Sequence, residues 1–235
     1  MNKIIVMRLD KFIANNTFYS RKEVNKIIRK KMVLVNDKII IEAAYKINVL
    51  NDIVKINDLV ISNKEFIYLA LNKPKDYICS NSNKEGQSVL NLIEENNWKN
   101  LHIIGRLDKD TTGLVLITND GQFTHKIKNN KYHVEKEYEV VLEKEFTNEM
   151  FEELQKDIVL DGKKLKPFQI LNINRNKLNI ILTEGKYHQI KRLFAIVKNS
   201  VIDLKRIRVG KINLYDLNLD EGEYQEIDPI KYEMK

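Results

Sequence analysis

Three short segments hold side chains able to do chemistry. The first, Gly105–Gly121 (GRLDKDTTGLVLITNDG), sets Asp108 between Arg106-Leu107 and a Thr-Thr-Gly turn. The apolar run Leu114–Ile117 follows, then a second turn at Asn119–Gly121. The string predicts a loop entering a buried strand, with the carboxylate at the strand's mouth. A reactive carboxylate there must be ionised yet poorly hydrated, which demands a fixed cation nearby. The second segment is Thr183–Phe194, TEGKYHQIKRLF. A helix over Lys186–Val197 would put Tyr187, Ile190, Phe194 and Val197 on one face and His188, Lys191 and Arg192 on another. Such a cationic stripe near a helix N-terminus suits phosphate or carboxylate. The third is KEYEVVL, where period-two alternation puts Tyr138 with Val140 and Leu142 on an apolar face. A ring at the edge of a site can stack on a nucleobase. Each segment also has a plainer reading: a turn-capping aspartate, a solvated basic helix face, a core tyrosine. Arg-Leu-Asp occurs again at Arg8–Asp10, so those three letters alone carry no weight.

The elements that must position these residues are those of an ordinary globular chain. With 235 residues, 43% hydrophobic and 31% charged, one or two domains can form. No apolar run approaches the ~20 residues that span a bilayer, and MNKIIVM has too few apolar residues in succession for a signal peptide. The single cysteine, Cys79, excludes an internal disulfide and fits a reducing cytoplasm. Cys79 and the four histidines lack zinc-ligand spacing, so no metal is expected.

Charge is uneven. Residues 1–60 carry 12 basic and 6 acidic side chains, while the remainder carries 28 and 27. The front segment therefore suits a polyanion, a lysine-rich solvated surface being the alternative. Residues 1–60 also lack Gly and Pro, and every glycine lies at or after Gly86. That step divides the chain into a module over 1–60, a linker over 61–66 around ISNKE, and a larger domain over 67–235. Within the module, Leu9, Phe12 and Ile13 recur at helical spacing. Ser20 and Glu23 form a capping box that opens a second helix bearing Val24, Ile27 and Ile28. Arg21, Lys22, Arg29, Lys30 and Lys31 lie on its other side and exit, and MVLVNDKIII predicts a hairpin turning at Asn36-Asp37.

The larger domain alternates strands and helices irregularly. Strands are predicted at Phe66–Asn72, Gly113–Thr118, Lys136–Leu142, Phe168–Asn174, Lys177–Leu182 and Val201–Val209. Helices are predicted at Ser88–Asn97, Gln122–Asn129, Asn148–Lys156 and Lys186–Val197. The fold class is α+β, with a mixed, largely antiparallel sheet flanked by helices.

Two family resemblances rest on these strings. MRLDKFI at Met7–Ile13, SRKEVNKIIRKKMVLVND at Ser20–Asp37 and the strands through Val54 resemble the S4 RNA-binding domain. This implies RNA contacts from Arg8, Arg21, Lys22, Arg29, Lys30 and Lys31, with residues 1–6 an extension. The three chemical segments together resemble the pseudouridine synthases, most closely the RsuA branch that acts on small-subunit rRNA. The resemblance implies that Asp108 is the catalytic carboxylate, that Tyr138 of the K-x-Y-x-V motif packs on the target base, and that Lys191 pairs with Asp108. It further implies that Arg106 helps displace the flipped nucleotide and that His188 and Arg192 meet RNA. The wording DTTGLVLITNDGQFTHKI and GKYHQIKRLF is most similar to enzymes for 16S rRNA uridine 516. A cytoplasmic monomer without a cofactor is expected, working on rRNA or on a ribosomal subunit assembly intermediate, with no membrane.

Three other readings stay open. One is a large-subunit rRNA synthase of the same family. Another is a non-catalytic RNA-binding or ribosome-assembly factor. The third is a Mg²⁺-dependent phosphohydrolase, because Asp108-Lys109-Asp110-Thr111-Thr112 fits D-x-D-x-T. That reading needs further acidic ligands, for which Asp216 and Asp220 are the nearest late pair.

Overall fold

The computed structural model describes residues 5–17, 19–61, 66–93 and 101–233. The chain divides into two compact units, one drawn from 1–67 and 94–101, the other from 68–93 and 102–235.

The first unit runs β1 (Val6–Arg8), α1 (Leu9–Asn16), α2 (Arg21–Arg29), β2 (Val33–Val35), β3 (Lys38–Ile39), β4 (Lys46–Asn48), β5 (Val54–Ile56) and β6 (Leu59–Ile61). The capping box forms: the Ser20 hydroxyl accepts from the Glu23 N–H, and the Glu23 carboxylate accepts from the Ser20 N–H at 2.7 Å. β2 and β3 join through Asn36 and Asp37 at φ 49° and 61°. Two consecutive left-handed residues match the twist of a hairpin, and Asn and Asp bear that conformation best. The four-stranded sheet β3-β2-β5-β6 and the β1-β4 pair enclose Leu9, Phe12, Ile13, Val24 and Ile28 with Val33, Ile47 and Val54, all almost fully buried. Residues 62–65 of the expected linker, and 1–4 of the expected extension, lie outside the described residues; Val6 already belongs to β1.

The second unit contains β7 (Tyr68–Lys73), β8 (His102–Ile104), β9 (Thr112–Thr118), α3 (Gly121–Lys128), β10 (Lys136–Leu142), α4 (Asn148–Leu154), β11 (Val159–Leu160), β12 (Lys163–Lys164), β13 (Gln169–Asn174), β14 (Lys177–Leu182), α5 (Gln189–Ile196), β15 (Val201–Val209), β16 (Ile212–Asn213), α6 (Leu214–Leu217) and β17 (Tyr224–Glu226). One sheet orders its strands β13-β14-β10-β15-β9-β7-β17, with β16 on β15 and β8 on β9. Among its described pairings only β15–β9 is parallel, so the sheet is mixed and largely antiparallel as expected. β9 is buried along its whole length, which accounts for its unbroken apolar run.

Three expectations needed correction. Ser88–Asn97 is not a helix in its described part: Ser88 caps a single 3-10 turn, Val89–Leu92, and residues 94–97 lie outside the described residues. Asn119–Gly121 is a helix start, Asp120 accepting from the N–H groups of Gln122 and Phe123 at 2.8 and 3.1 Å. The helix expected at Lys186 begins at Gln189, because His188 sits at φ 46°, a left-handed turn that no α-helix contains.

Candidate active site

Asp108 lies on the loop between β8 and β9, and that loop is held by its backbone. Lys73, at the end of β7, is fully buried and donates its ammonium to the carbonyls of Pro74, Lys109 and Thr111 at 2.9, 3.2 and 2.8 Å. All three donors are used, so a buried charge is fully bonded and the residues beyond Asp108 are pinned to the sheet. Burial pulls this ammonium below its usual range. The Thr111 N–H adds a turn bond to the Asp108 carbonyl at 3.1 Å, and the Leu107 N–H donates to Cys79 Sγ at 3.3 Å.

Behind the loop lies Arg206 of β15, which is 1% exposed. Its Nε donates to the Leu114 carbonyl and its Nη2 to the Gly105 carbonyl, each at 2.7 Å. Gly113 pairs with Arg206 across the parallel ladder at φ 101°, and a Cβ there would stand 2.2 Å from the Arg206 carbonyl oxygen. The Gly in Thr-Thr-Gly is thus required by the approach of β15 to β9.

Two side-chain nitrogens reach Asp108 from the segment before and inside α5. Lys191 Nζ stands 3.4 Å from one carboxylate oxygen and His188 Nε2 3.5 Å from the other. Lys191 is held more closely by Asp110, at 2.7 and 2.8 Å, and this contact draws the Asp110 carboxyl below the usual range. The turn that aims His188 is itself fixed. Buried Glu184 accepts from the Lys166 N–H at 3.0 Å and from the Gln189 side-chain Nε2 at 3.2 Å, and the Gln189 side-chain Oε1 accepts from the Lys186 N–H at 2.8 Å.

Tyr138 is buried in β10 with Val140 and Leu142, as the alternation requires, and it also lines the cleft at Asp108. That cleft has a volume of about 1110 Å³. Its walls carry Arg106, Lys128, Lys136, Lys163, Lys164, Lys166 and Lys186 against Glu85, Asp108, Asp161 and Glu184. Basic groups predominate, so the cleft suits a polyanion. The Lys136 ammonium is pushed down to about 8, chiefly by burial and then by Arg206.

Residues 67–196 match the RNA pseudouridylate synthase family, and residues 7–60 match the S4 domain. The chain belongs to the RNA pseudouridylate synthase family. The ribosomal small subunit pseudouridine synthase A of Escherichia coli (strain K12) is 40% identical to it over 222 residues, 93% of this chain and 95% of that protein. The namesake in Haemophilus influenzae (strain ATCC 51907 / DSM 11121 / KW20 / Rd) is 36% identical over 229 residues, covering 97% and 98%. A crystal structure of a pseudouridylate synthase superposes with a TM-score of 0.65 at 35% identity, covering 97% of this chain and 99% of that one.

In this synthase Asp108, Tyr138, His188 and Lys191 line one cleft, together with Arg106. Two sequence expectations differ from what is found. Arg192 is not part of an open cationic stripe, because its guanidinium grips Asp161 with two bonds of 2.8 Å. Tyr187 is not on the apolar helix face: it precedes the helix, is 74% exposed, and stacks on the His188 ring at 3.8 Å. In the first unit Lys22, Arg29, Lys30 and Lys31 are exposed, whereas Arg8 and Arg21 are both engaged by Asp10. The D-x-D-x-T reading fits poorly, since Lys191 bridges the two carboxylates that would hold Mg²⁺. No three His, Cys, Asp or Glu side chains converge among the described residues, and Asp216 and Asp220 are exposed. Lys73, Arg206, Glu184 and Gln189 are structural parts of the site that the sequence reading assigned no role. For Glu184 and Gln189 a signal existed in the E-G-x-x-x-Q spacing.

Proposed function

We propose that this synthase isomerises a uridine of small-subunit rRNA, uridine 516 of 16S rRNA, acting as a cytoplasmic monomer without a cofactor. The observation that carries the chemistry is the placement of Asp108 in a basic cleft, with Lys191 and His188 against its oxygens and Tyr138 as an aromatic wall. The small-subunit target is supported by the names of the E. coli and H. influenzae relatives and the near-complete coverage of both chains.

Asp108 is the reacting carboxylate. The N1–C1′ bond of the uridine breaks, the uracil pivots, and a C5–C1′ bond forms; the C5 proton leaves and N1 gains one, so no atom is gained or lost. Asp108 either adds to C1′ or removes the 2′ proton. Lys191 and His188 stand against its two oxygens and hold the carboxylate in place while the glycosidic bond opens. Tyr138 packs on the base and keeps the detached uracil in register. Everting the uridine costs a few kcal/mol. Arg106 and phosphate contacts from the first unit offset that cost, residues 1–60 acting as an RNA-binding domain, 61–66 as a connector and 67–235 as the catalytic domain. Within the first unit, Lys22, Arg29, Lys30 and Lys31 carry most of the phosphate contact.

Mapping pseudouridines in rRNA from cells with and without this protein tests the proposal. Loss of the modification at uridine 516 alone is the expected result. An unchanged 16S map with a site lost from large-subunit rRNA would move the assignment to the large-subunit branch.

A further inference from the structure

Tyr187 is an exposed aromatic residue beside the reacting carboxylate. It is 74% exposed, lines the cleft, and stacks almost face to face on His188, with centroids 3.8 Å apart and planes 18° from parallel. His188 in turn reaches an Asp108 oxygen at 3.5 Å. One face of the tyrosine ring is therefore covered by an imidazole fixed to the active centre, while the other meets solvent. The pair is held in place at some cost: His188 adopts φ 46°, and Glu184 and Gln189 fix the turn around it. The Tyr187 carbonyl also accepts a long bond from Arg192, which is locked on Asp161. Burial does not explain this placement, because Tyr187 is largely exposed.

We propose that the free face of Tyr187 is a stacking platform for a nucleobase adjacent to the everted uridine. This rests on the reading of Asp108 as the catalytic carboxylate in an RNA-modifying site. A base on Tyr187 completes a stack of base, tyrosine and imidazole ending at Asp108. Stacking replaces the neighbour that the flipped uridine leaves behind and fixes the strand one step from the chemistry. Any base has a π-face, so the platform positions the strand without reading its sequence. Tyr187 is a positioning residue; it does not touch the reacting atoms.

The test uses the full chain and a 16S rRNA fragment spanning uridine 516. Tyr187→Ala should raise KM and Kd roughly 5- to 100-fold while kcat changes little, the range expected for one stacked base. Tyr187→Phe should restore wild-type values, because the ring and not the hydroxyl does the work. An abasic substitution at one flanking nucleotide should weaken wild type by the same factor and leave Tyr187→Ala unaffected. Unchanged Kd for Tyr187→Ala, or a Phe variant as weak as Ala, overturns the platform. If the wild type makes no pseudouridine in the fragment, the target assignment fails, and the platform is still decided by the affinity of Ala against Phe.

Discussion

At Arg8–Asp10 the guanidinium turns back on its own carboxylate, Nε standing 3.1 Å and Nη2 2.9 Å from the Asp10 oxygens. At Arg106–Asp108 the same three residue types diverge: Arg106 lies exposed in the cleft, and Asp108 takes its partners, the His188 ring and the Lys191 ammonium, from far along the chain. The central leucine is buried in both copies, so it anchors each turn alike. What differs is the source of positive charge. A carboxylate neutralised by its neighbour and only 4% exposed is a structural part. One that is 31% exposed, with the Lys191 and His188 nitrogens at 3.4 and 3.5 Å, keeps its oxygens available. Meanwhile the neighbouring arginine remains available for a phosphate.

The largest effect should separate the two aspartates. Asp108→Asn is expected to lower isomerisation about 1,000-fold or more, with RNA affinity near normal, as for loss of a group acting directly on the substrate. Asp10→Asn should leave kcat unchanged. Equal loss from both, in a tritium-release assay on 16S rRNA, would erase the distinction between them. Next comes the borrowed cation. Lys191→Met should slow turnover on the order of 10- to 100-fold, about 1.4–2.7 kcal/mol of barrier, whereas a matching change at Arg21, which helps hold Asp10, should not. Turnover unaltered in Lys191→Met would leave His188 as the effective partner. Smaller again, Arg106→Ala should raise KM about tenfold without lowering the melting temperature, and Arg8→Ala should do the reverse.

The contrast also explains how much was legible beforehand. That Asp108, Tyr138 and Lys191 stand at one cleft could be anticipated because each lies in a local string that resembles a family motif and that encodes a turn, a strand face or a helix. The strand segments at β7, β9, β10, β13, β14 and β15 and the hairpin at Asn36-Asp37 follow from equally local rules, whereas the order of strands in the sheet does not. Arg206 was not legible for a geometric reason. The register of β15 on β10 steps from Glu137↔Arg208 to Tyr138↔Arg206, so Ile207 is an extra residue at a bulge. A bulge shifts the side-chain phase, and Arg206 and Ile207 are both buried where period two allows one. Lys73 falls just past the predicted strand Phe66–Asn72 and drew no role, because its carbonyl acceptors at Lys109 and Thr111 come together only in three dimensions. The late start of α5 likewise depends on a left-handed histidine held by Glu184 and Gln189 rather than on propensity.

The smallest effect concerns stability and pH. The Asp10 carboxyl is held below the usual range, chiefly by its hydrogen bond from Arg8, with Arg21 adding to the attraction. A depressed folded-state value means that the ion pair stabilises the first unit above the ordinary aspartate value of about 3.9. The contribution fades as pH falls through that value and is gone once the folded carboxyl is protonated. Hydrogen bonds to a charged group contribute about 1.5–3 kcal/mol when buried; with both arginines more than half exposed, about 1 kcal/mol is expected here. Asp10→Asn should therefore lower the stability of the protein at pH 7 by about that amount and by almost nothing at an acidic pH where the folded carboxyl is protonated. Urea unfolding of both proteins at the two pH values measures it. A difference that persists at low pH would show that Asp10 acts through packing or backbone bonding, and the contrast between the two triplets would then rest on burial rather than on charge.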